Sequence, residues 1–492
     1  MSLCGSGLSG IGKPKAFYAV FPNYTGNASK VPNIKIPAVA APQNTAAVME
    51  DEEGLSPPEA LFKTIRHFVP GFFIALSRIP DPRDPNRTVY PIQECILVGL
   101  LAFMLKTRSR RNIKYRLGTP KFISNMRQIG DVLYPQEPFP DTLLHGDTLN
   151  KLVSRIPVKY SEELRNLVLR ALIRSRCLEK WRIMGSYAIA IDGTGVINYH
   201  NRHCPHCLTR RLSDGRTLYY HPVLEAKLVC PGLGLALSIG TEFIENLSEY
   251  VDKQDCELKA FHRLLPKLRK DFPQTPICLL LDALYANERV FKLCEEQRCS
   301  YLLTFKEGSM PATWEEFQAL KRLVKNQRID SSQSAKPRTF EWMNDISYNG
   351  RTLNAVEMRE TAADGKSFYG AWLASWRVTQ DNVRALAMGG RARWLIENEG
   401  FNAQKNGGYE LEHAFSSGSA AMKHFYILLQ IAHIFDQLME KGSLLRKKIR
   451  QTMGSLRVFS ERLWALMTET LIDVERLRVI LAQRIQIRFD SG

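Results

Sequence analysis

The 492-residue chain has no apolar run long enough to cross a bilayer as a helix. Its most apolar stretch, IQECILVGLLAFML (92–105), falls short of the roughly 20 residues such a span needs and carries Glu94. The first residues, MSLCGSGLSGIGKPK, lack the charged start and apolar core of a secretory signal. Ten cysteines are scattered through the chain without the spacing of a disulfide framework, and no second Cys-x-x-Cys accompanies the one at Cys204 and Cys207. No His-Glu-x-x-His stretch points to a zinc protease. These absences argue against a helical membrane protein and a stapled secreted domain. They lead to the expectation of a soluble protein in a reducing compartment, the cytoplasm, with no membrane partner.

Acidic residues are also in short supply. Fifty Asp and Glu stand against 67 Lys and Arg, a formal charge of +17 and a pI near 9.4. An excess of that size favours a polyanionic partner, nucleic acid above all. The deficit is steepest in KTRSRRNIKYRLGTPKFISNMR (106–127), which has eight basic residues and no acidic one. Such a segment is either a solvated basic face or a phosphate contact. Arg108, Arg110 and Arg111 are its candidate DNA-binding residues.

Composition divides the chain into four parts. Residues 1–58, rich in Gly, Ser, Ala, Pro and Asn, read as a flexible segment. Residues 59–183 carry apolar residues at three and four spacings and read as a helical, DNA-binding domain. Residues 184–438 change texture to strands and helices. Residues 439–492 are basic and helical, suited to dimer or DNA contact.

Within 184–438, YAIAIDGTG reads as a buried strand ending at Asp192, and TPICLLLDALYAN as an apolar strand ending at Asp282. The order is three strands, helix, strand, helix, strand, which predicts a mixed α/β core with a sheet covered on its faces. One aspartate at a strand end is also an ordinary helix cap or turn former. Two in one sheet can lie side by side, and an acid from a later helix would make three. Three close carboxylates repel one another unless divalent cations neutralise them, and oxygen-only ligation suits Mg2+ or Mn2+.

The later acid is sought in RARWLIENEGFNAQKNGGYELEHAF (391–415), where Trp394, Leu395 and Ile396 read as the buried face of a helix. Arg393 and Glu397 lie one turn apart. Glu399 is the rival, but on an α-helix it points about 200 degrees away. With AIDGTG, LLLDALYAN and RWLIENEGFNAQKNGGYELEH, the region from about Tyr187 to His433 resembles the DDE transposases of bacterial insertion sequences. The resemblance implies an RNase H-like core and a metal-binding catalytic triad of Asp192, Asp282 and Glu397. Relatives carry Tyr, Arg, Glu and Lys at set spacings around the Glu. Here Arg393 is in place, Gly390 stands where the Tyr would be, and Lys405 falls one position late. The resemblance implies DNA strand cleavage at element ends and strand transfer into target DNA, by a homodimer on double-stranded DNA in the bacterial nucleoid. Two ions about 3.5 to 4 Å apart would serve the in-line displacement, so the three acids should converge within about 5 Å. Arg393, Lys405 and His413 are the phosphate contacts it implies. The rival readings are a metal nuclease of the same core without strand transfer and a catalytically silent DNA-binding descendant.

Between the fifth strand and that helix, TFEWMNDISYNGRTLNAVEMRE and KSFYGAWLASWRV read as paired strands with YNGR as a hairpin turn, a β-rich insertion at about 306–378. Trp372 and Trp376 would share one strand face, either as core or as a surface on which a displaced base stacks. In YHNRHCPHC (199–207), Cys204 and Cys207 have zinc-knuckle spacing. A structural Zn2+ site there would have to recruit His221 or Cys256 from elsewhere; otherwise the thiols are free.

Overall fold

A computed structural model describes residues 54–202, 204–324, 326–331, 336–361 and 365–489, so the flexible segment expected at 1–58 lies outside the described residues except for 54–58. Residues 53–492 form one compact unit. Its first part is helical: α1 Pro57–Phe68, α2 Phe72–Ser77, α3 Ile92–Met104, α4 Asn112–Leu117, α5 Pro120–Leu133, α6 Gly146–Val153 and α7 Lys159–Arg174. Prolines at the first two positions of α1 lose no helical hydrogen bond there, and the Glu59 carboxylate accepts from the Ser56 N–H at 2.8 Å. The apolar run is α3, and every residue of it is buried, Glu94 included.

Ten strands then build one sheet: β1 Tyr187–Tyr199, β2 Leu208–Arg211, β3 Thr217–Cys230, β4 Leu235–Phe243, β5 Ile277–Leu281, β6 Ser300–Thr304, β7 Arg328–Ser331, β8 Arg338–Tyr348, β9 Arg351–Thr361 and β10 Ser367–Ala374. Their order is β2-β3-β1-β5-β6-β10-β9-β8-β7, with β4 on the other half of β3. The β1–β5 and β5–β6 pairs are parallel and the rest antiparallel. β5 reads ICLLL and is wholly buried, as a central parallel strand covered on both faces should be. The covering helices include α8 Glu257–Asp271, α9 Glu288–Glu296, α10 Pro311–Leu323 and α11 Val383–Arg391. The mixed α/β core and its strand–helix order are as expected. The sequence reading missed β2, whose LTRR is short and polar, and α10.

The YNGR hairpin is present. Asn349 and Gly350 both have positive φ, 45° and 80°, which a two-residue turn matched to strand twist requires, and Tyr348 pairs with Arg351. The strands of 306–378 do not stand apart: β10 pairs with β6, so β7 to β10 continue the main sheet. After α12 (Ala403–Asn406) come α13 Ser419–Lys441, α14 Ser443–Lys448, α15 Leu456–Glu469 and α16 Val474–Ala482. α13 is buried along most of its length and packs on β4 and on α1, α3, α6 and α7. α15 and α16 fold back on α1 and α5, where Asn125 donates to the carbonyls of Met467 (2.9 Å) and Thr470 (2.7 Å), and Arg476 pairs with Glu59 at 2.8 Å. Among the described residues no helix is long and apolar enough to cross a membrane.

Candidate functional site

β1 and β5 run parallel with Tyr187 opposite Ile277 and Ala190 opposite Leu280, a register that brings Asp192 and Asp282 beside each other. Asp282 ends β5 and caps the turn that follows, its side chain accepting from the Ala283 N–H. Asp282 therefore caps this turn while its charge acts on Asp192. Asp192 accepts from Gly193 N at 3.0 Å and from Arg393 Nη1 at 3.0 Å. Burial raises its pKa above the ordinary carboxylate range. The Arg393 guanidinium opposes that rise, and the negative field of Asp282 adds to it.

Arg393 comes from a short 3₁₀ turn, Ala392–Trp394, which runs into a π-helical turn, Ile396–Asn402. The wide π turn, a form that tends to occur at functional sites, carries both Glu397 and Glu399. Cross-strand partners in an antiparallel pair share a face, so Asp192 and its partner Glu225 point the same way, as do Ala190 and Lys227. Lys227 donates to Gln430 on α13 at 2.7 Å, and a Cβ on Gly400 would stand 2.9 Å from the Lys227 stem. The π turn thus packs on the sheet face to which Asp192 points. Glu397 is half-buried one turn past Arg393. Glu399, also half-buried, turns instead toward Gly234 and Lys441 at the end of β3.

A buried polar network holds this turn in place. Gln404 donates to Gln430 Oε1 at 2.7 Å, the acceptor it shares with Lys227, and lies 2.9 Å from His433 Nδ1. Glu225 accepts from Ser238, from Thr241 at 2.7 Å and from Tyr426 at 3.0 Å. All of these side chains are buried. Satisfied networks of this kind rigidify the element they anchor.

Sequence reasoning missed Glu257, the first residue of α8. Its Oε1 accepts from Tyr285 Oη at 2.7 Å, three residues past Asp282, while its Oε2 stands 2.6 Å from where a Cβ on Gly193 would be. A side chain at 193 would displace this carboxylate, so the glycine after Asp192 leaves room for Glu257 where it stands. Burial raises the pKa of Glu257; the Tyr285 hydrogen bond lowers it, and Asp192 and Asp282 raise it further. An acidic residue opening an amphipathic helix between two strands was the available signal, but helix dipoles favour acids there in any protein.

Asp192 and Asp282 lie close enough for their charges to act on one another, and Glu397 stands on the turn that carries Arg393. Among the described residues, the group of three or more His, Cys, Asp or Glu side chains whose ligand atoms all lie within 4.8 Å of one another is Cys204, Cys207 and His221. Carboxylates repel one another, and the cation against Asp192 is the Arg393 guanidinium.

The other expected contacts are distributed differently. Trp372 is buried, and Gly390 of α11 lies so close that a Cβ there would stand 2.6 Å from the indole, so this ring is core. Trp376 falls past the end of β10 and shares no strand face with it. Trp394, read as buried, is 54% exposed with the Arg393 guanidinium 5.3 Å over its ring, and it is the exposed aromatic beside the acids. Lys405 pairs with Glu412 at 3.2 Å, and exposed His413 packs edge-on against Phe415. The basic segment finds carboxylates from distant sequence: Lys106 with Asp436 at 2.8 Å, Arg108 with Glu410 at 3.7 Å, Arg110 with Asp147 at 3.1 Å and Arg127 with Asp141 at 2.7 Å. Arg111, Lys114 and Lys121 are exposed, with no ion pair among the described residues.

No known protein family matches the chain, and no curated relative matches it. Among solved structures it is similar to a piggyBac transposase in a synaptic complex with hairpin DNA, at 11% identity and a TM-score of 0.39, over 87% of this chain and 86% of that one.

Proposed function

We propose that the protein is a DNA transposase of the DDE type, cutting DNA strands at the ends of a mobile element and joining the freed 3′-hydroxyl to target DNA. The observation that carries this reading is that the parallel β1–β5 ladder, which ends at Ala190 and Leu280, leads Asp192 and Asp282 to the same end of the two strands, with the Arg393–Glu397 turn packed on the face to which Asp192 points. The donor set is all oxygen, which fits Mg2+ or Mn2+ and not a thiolate-seeking metal. Bound in pairs, such ions activate the attacking oxygen and neutralise the leaving one. Asp192, Asp282 and Glu397 would hold them. Arg393 holds the Asp192 carboxylate in orientation. Glu257, anchored by Tyr285, adds a fourth acid and is the alternative to Glu397 as third ligand. Trp394 offers an exposed ring on which an unpaired base would stack.

The test is Mg2+- or Mn2+-dependent nicking of supercoiled plasmid, and joining of duplex oligonucleotides carrying the sequence that flanks the coding region. Asp192→Asn, Asp282→Asn and Glu397→Gln should each abolish both reactions, while Glu399→Gln should retain them. Cleavage that survives Asp192→Asn and Asp282→Asn would overturn the reading. Cleavage without joining by the unaltered chain would reduce it to a nuclease. Loss on Glu257→Gln with retention on Glu397→Gln would move the third ligand to α8.

A further inference from the structure

The loop between β1 and β2 brings together three side chains that the proposed chemistry does not use. Cys204 Sγ lies 3.3 Å from His221 Nε2, Cys207 Sγ lies 3.5 Å from the same nitrogen, and the two sulfurs are 3.5 Å apart. Cys207 and His221 are buried and Cys204 is half-buried. A disulfide would hold the sulfurs at about 2.0 Å, far closer than they stand. A tetrahedral zinc with Zn–S about 2.3 Å and Zn–N about 2.0–2.1 Å sets its donors about 3.8 Å apart for S to S and about 3.6 Å for S to N. The observed edges fall within a few tenths of an ångström of that figure on all three sides.

We infer that Cys204, Cys207 and His221 bind a Zn2+ ion as a structural site that ties the β1–β2 loop to β3. Three weak hydrogen bonds among neutral thiols and an imidazole are the competing account, but nothing in those bonds requires three donors to face one point at tetrahedral separations. The surroundings also suit a metal-bound imidazole. Glu245 Oε1 stands 3.8 Å from His221 Nδ1, the nitrogen turned away from the sulfurs, and Glu245 is itself held by Lys423 at 2.5 Å on α13. At that distance the contact is one of charge rather than a hydrogen bond, and a negative charge on that side favours a ring whose Nδ1 carries the proton and whose Nε2 is left to ligate. Cys256, the other thiol near enough in sequence to be considered, is exposed and lies outside the cluster.

The site also reaches the acids. Asn246 donates to Cys207 O at 3.0 Å and its own carbonyl lies 2.8 Å from His206 Nδ1, while its Oδ1 accepts from Asp255 N at 3.1 Å, two residues before Glu257. Loosening the loop therefore loosens the segment that delivers Glu257.

The inference is independent of the transposase reading, because its test measures metal without DNA. Full-length protein purified without chelator should contain one zinc per chain by elemental analysis. Cys204→Ser, Cys207→Ser and His221→Gln should each lose it, and Cys256→Ser should keep it. Should a ligand variant fail to fold, chelator-treated wild-type protein titrated with Co2+ supplies the same information. One equivalent should give the intense visible bands of tetrahedral cobalt and thiolate-to-cobalt charge transfer. Wild-type protein that takes up neither metal, or a thiol count showing Cys204 joined to Cys207, would overturn the inference. So would loss of zinc on Cys256→Ser.

Discussion

Glu94 offers a test of the fold at one atom. It lies on α3, 1% exposed, in a helix whose other residues are apolar except for Gln93, and its Oε2 finds no hydrogen-bond partner among the described residues. Burial pushes its pKa up from 4.5 to about 8, with Arg83 opposing weakly. The folded protein therefore holds a proton on Glu94 between about pH 4.5 and 8, where the unfolded chain has released it. Stability falls as pH rises wherever the folded state binds the extra proton, by about 1.4 kcal/mol per pH unit. Across a shift of roughly 3.5 units the full difference is about 5 kcal/mol, an upper figure. Glu94→Gln keeps the shape and removes the titration. Urea unfolding of both proteins at pH 5, 6, 7 and 8 should give curves that approach one another at pH 5 and separate steadily as pH rises, with the variant the more stable at pH 8. Other titrating groups cancel in the difference. His67, His424 and His433, whose pKa values burial depresses, give stability lost as pH falls through their folded values. That dependence has the opposite sign and is common to both proteins. A difference that stays flat from pH 5 to 8 would refute the assignment of a neutral buried Glu94.

The remaining predictions concern packing and the buried ion pair. Gly390→Ala should destabilise the protein by about 1–3 kcal/mol in denaturant unfolding, since its Cβ would stand 2.6 Å from Trp372; in a Trp372→Ala background the same change should cost little, and equal costs in both backgrounds would sink the account. Lys106→Met should cost about 3–5 kcal/mol by leaving Asp436 buried without its cation, though Tyr409 still donates to it. Adding Asp436→Leu should recover part of that loss, and a double variant no more stable than Lys106→Met would argue against a charge penalty.

What could be read from the sequence was whatever a short window encodes. Buried strands showed as apolar runs, the β8–β9 turn as Asn-Gly, and Asp282 as the point where the β5 run stops; Asp192 was expected at a strand end as well, but β1 continues past it to Tyr199 because Gly193 to Tyr199 go on pairing with β3. Glu257 was out of reach because its meaning depends on α8 starting beside Gly193, a contact between residues about sixty apart. The segment 106–127 looked unbalanced for the same reason: the acids that pair with it come from positions 141, 147, 410 and 436. Trp394 was read inward as part of an apolar Trp-Leu-Ile run on a helix, but it lies in a 3₁₀ turn that leads into a π turn, and no local signal announced that change. The Cys-x-x-Cys spacing showed two of three converging ligands. Choosing His221 over Cys256 needed the pairing of β3 with β1, which places His221 opposite Ile197.

Gly390 follows the same tertiary logic: a larger side chain there would have to occupy volume already filled by the Trp372 indole. Charge is the second constraint near this turn. Asp282 raises the proton affinity of Asp192, and both raise that of Glu257, with the Arg393 guanidinium beside Asp192. Ionised, three carboxylates against one guanidinium would repel a polyanion even on a chain of net charge +17. Phosphate can approach these acids only if further positive charge arrives with it. Lys405, already paired with Glu412, does not supply that charge from this turn. Divalent cations would supply it at the carboxylates themselves, so the proposed chemistry makes metal dependence of cleavage, rather than of overall DNA affinity, its first requirement.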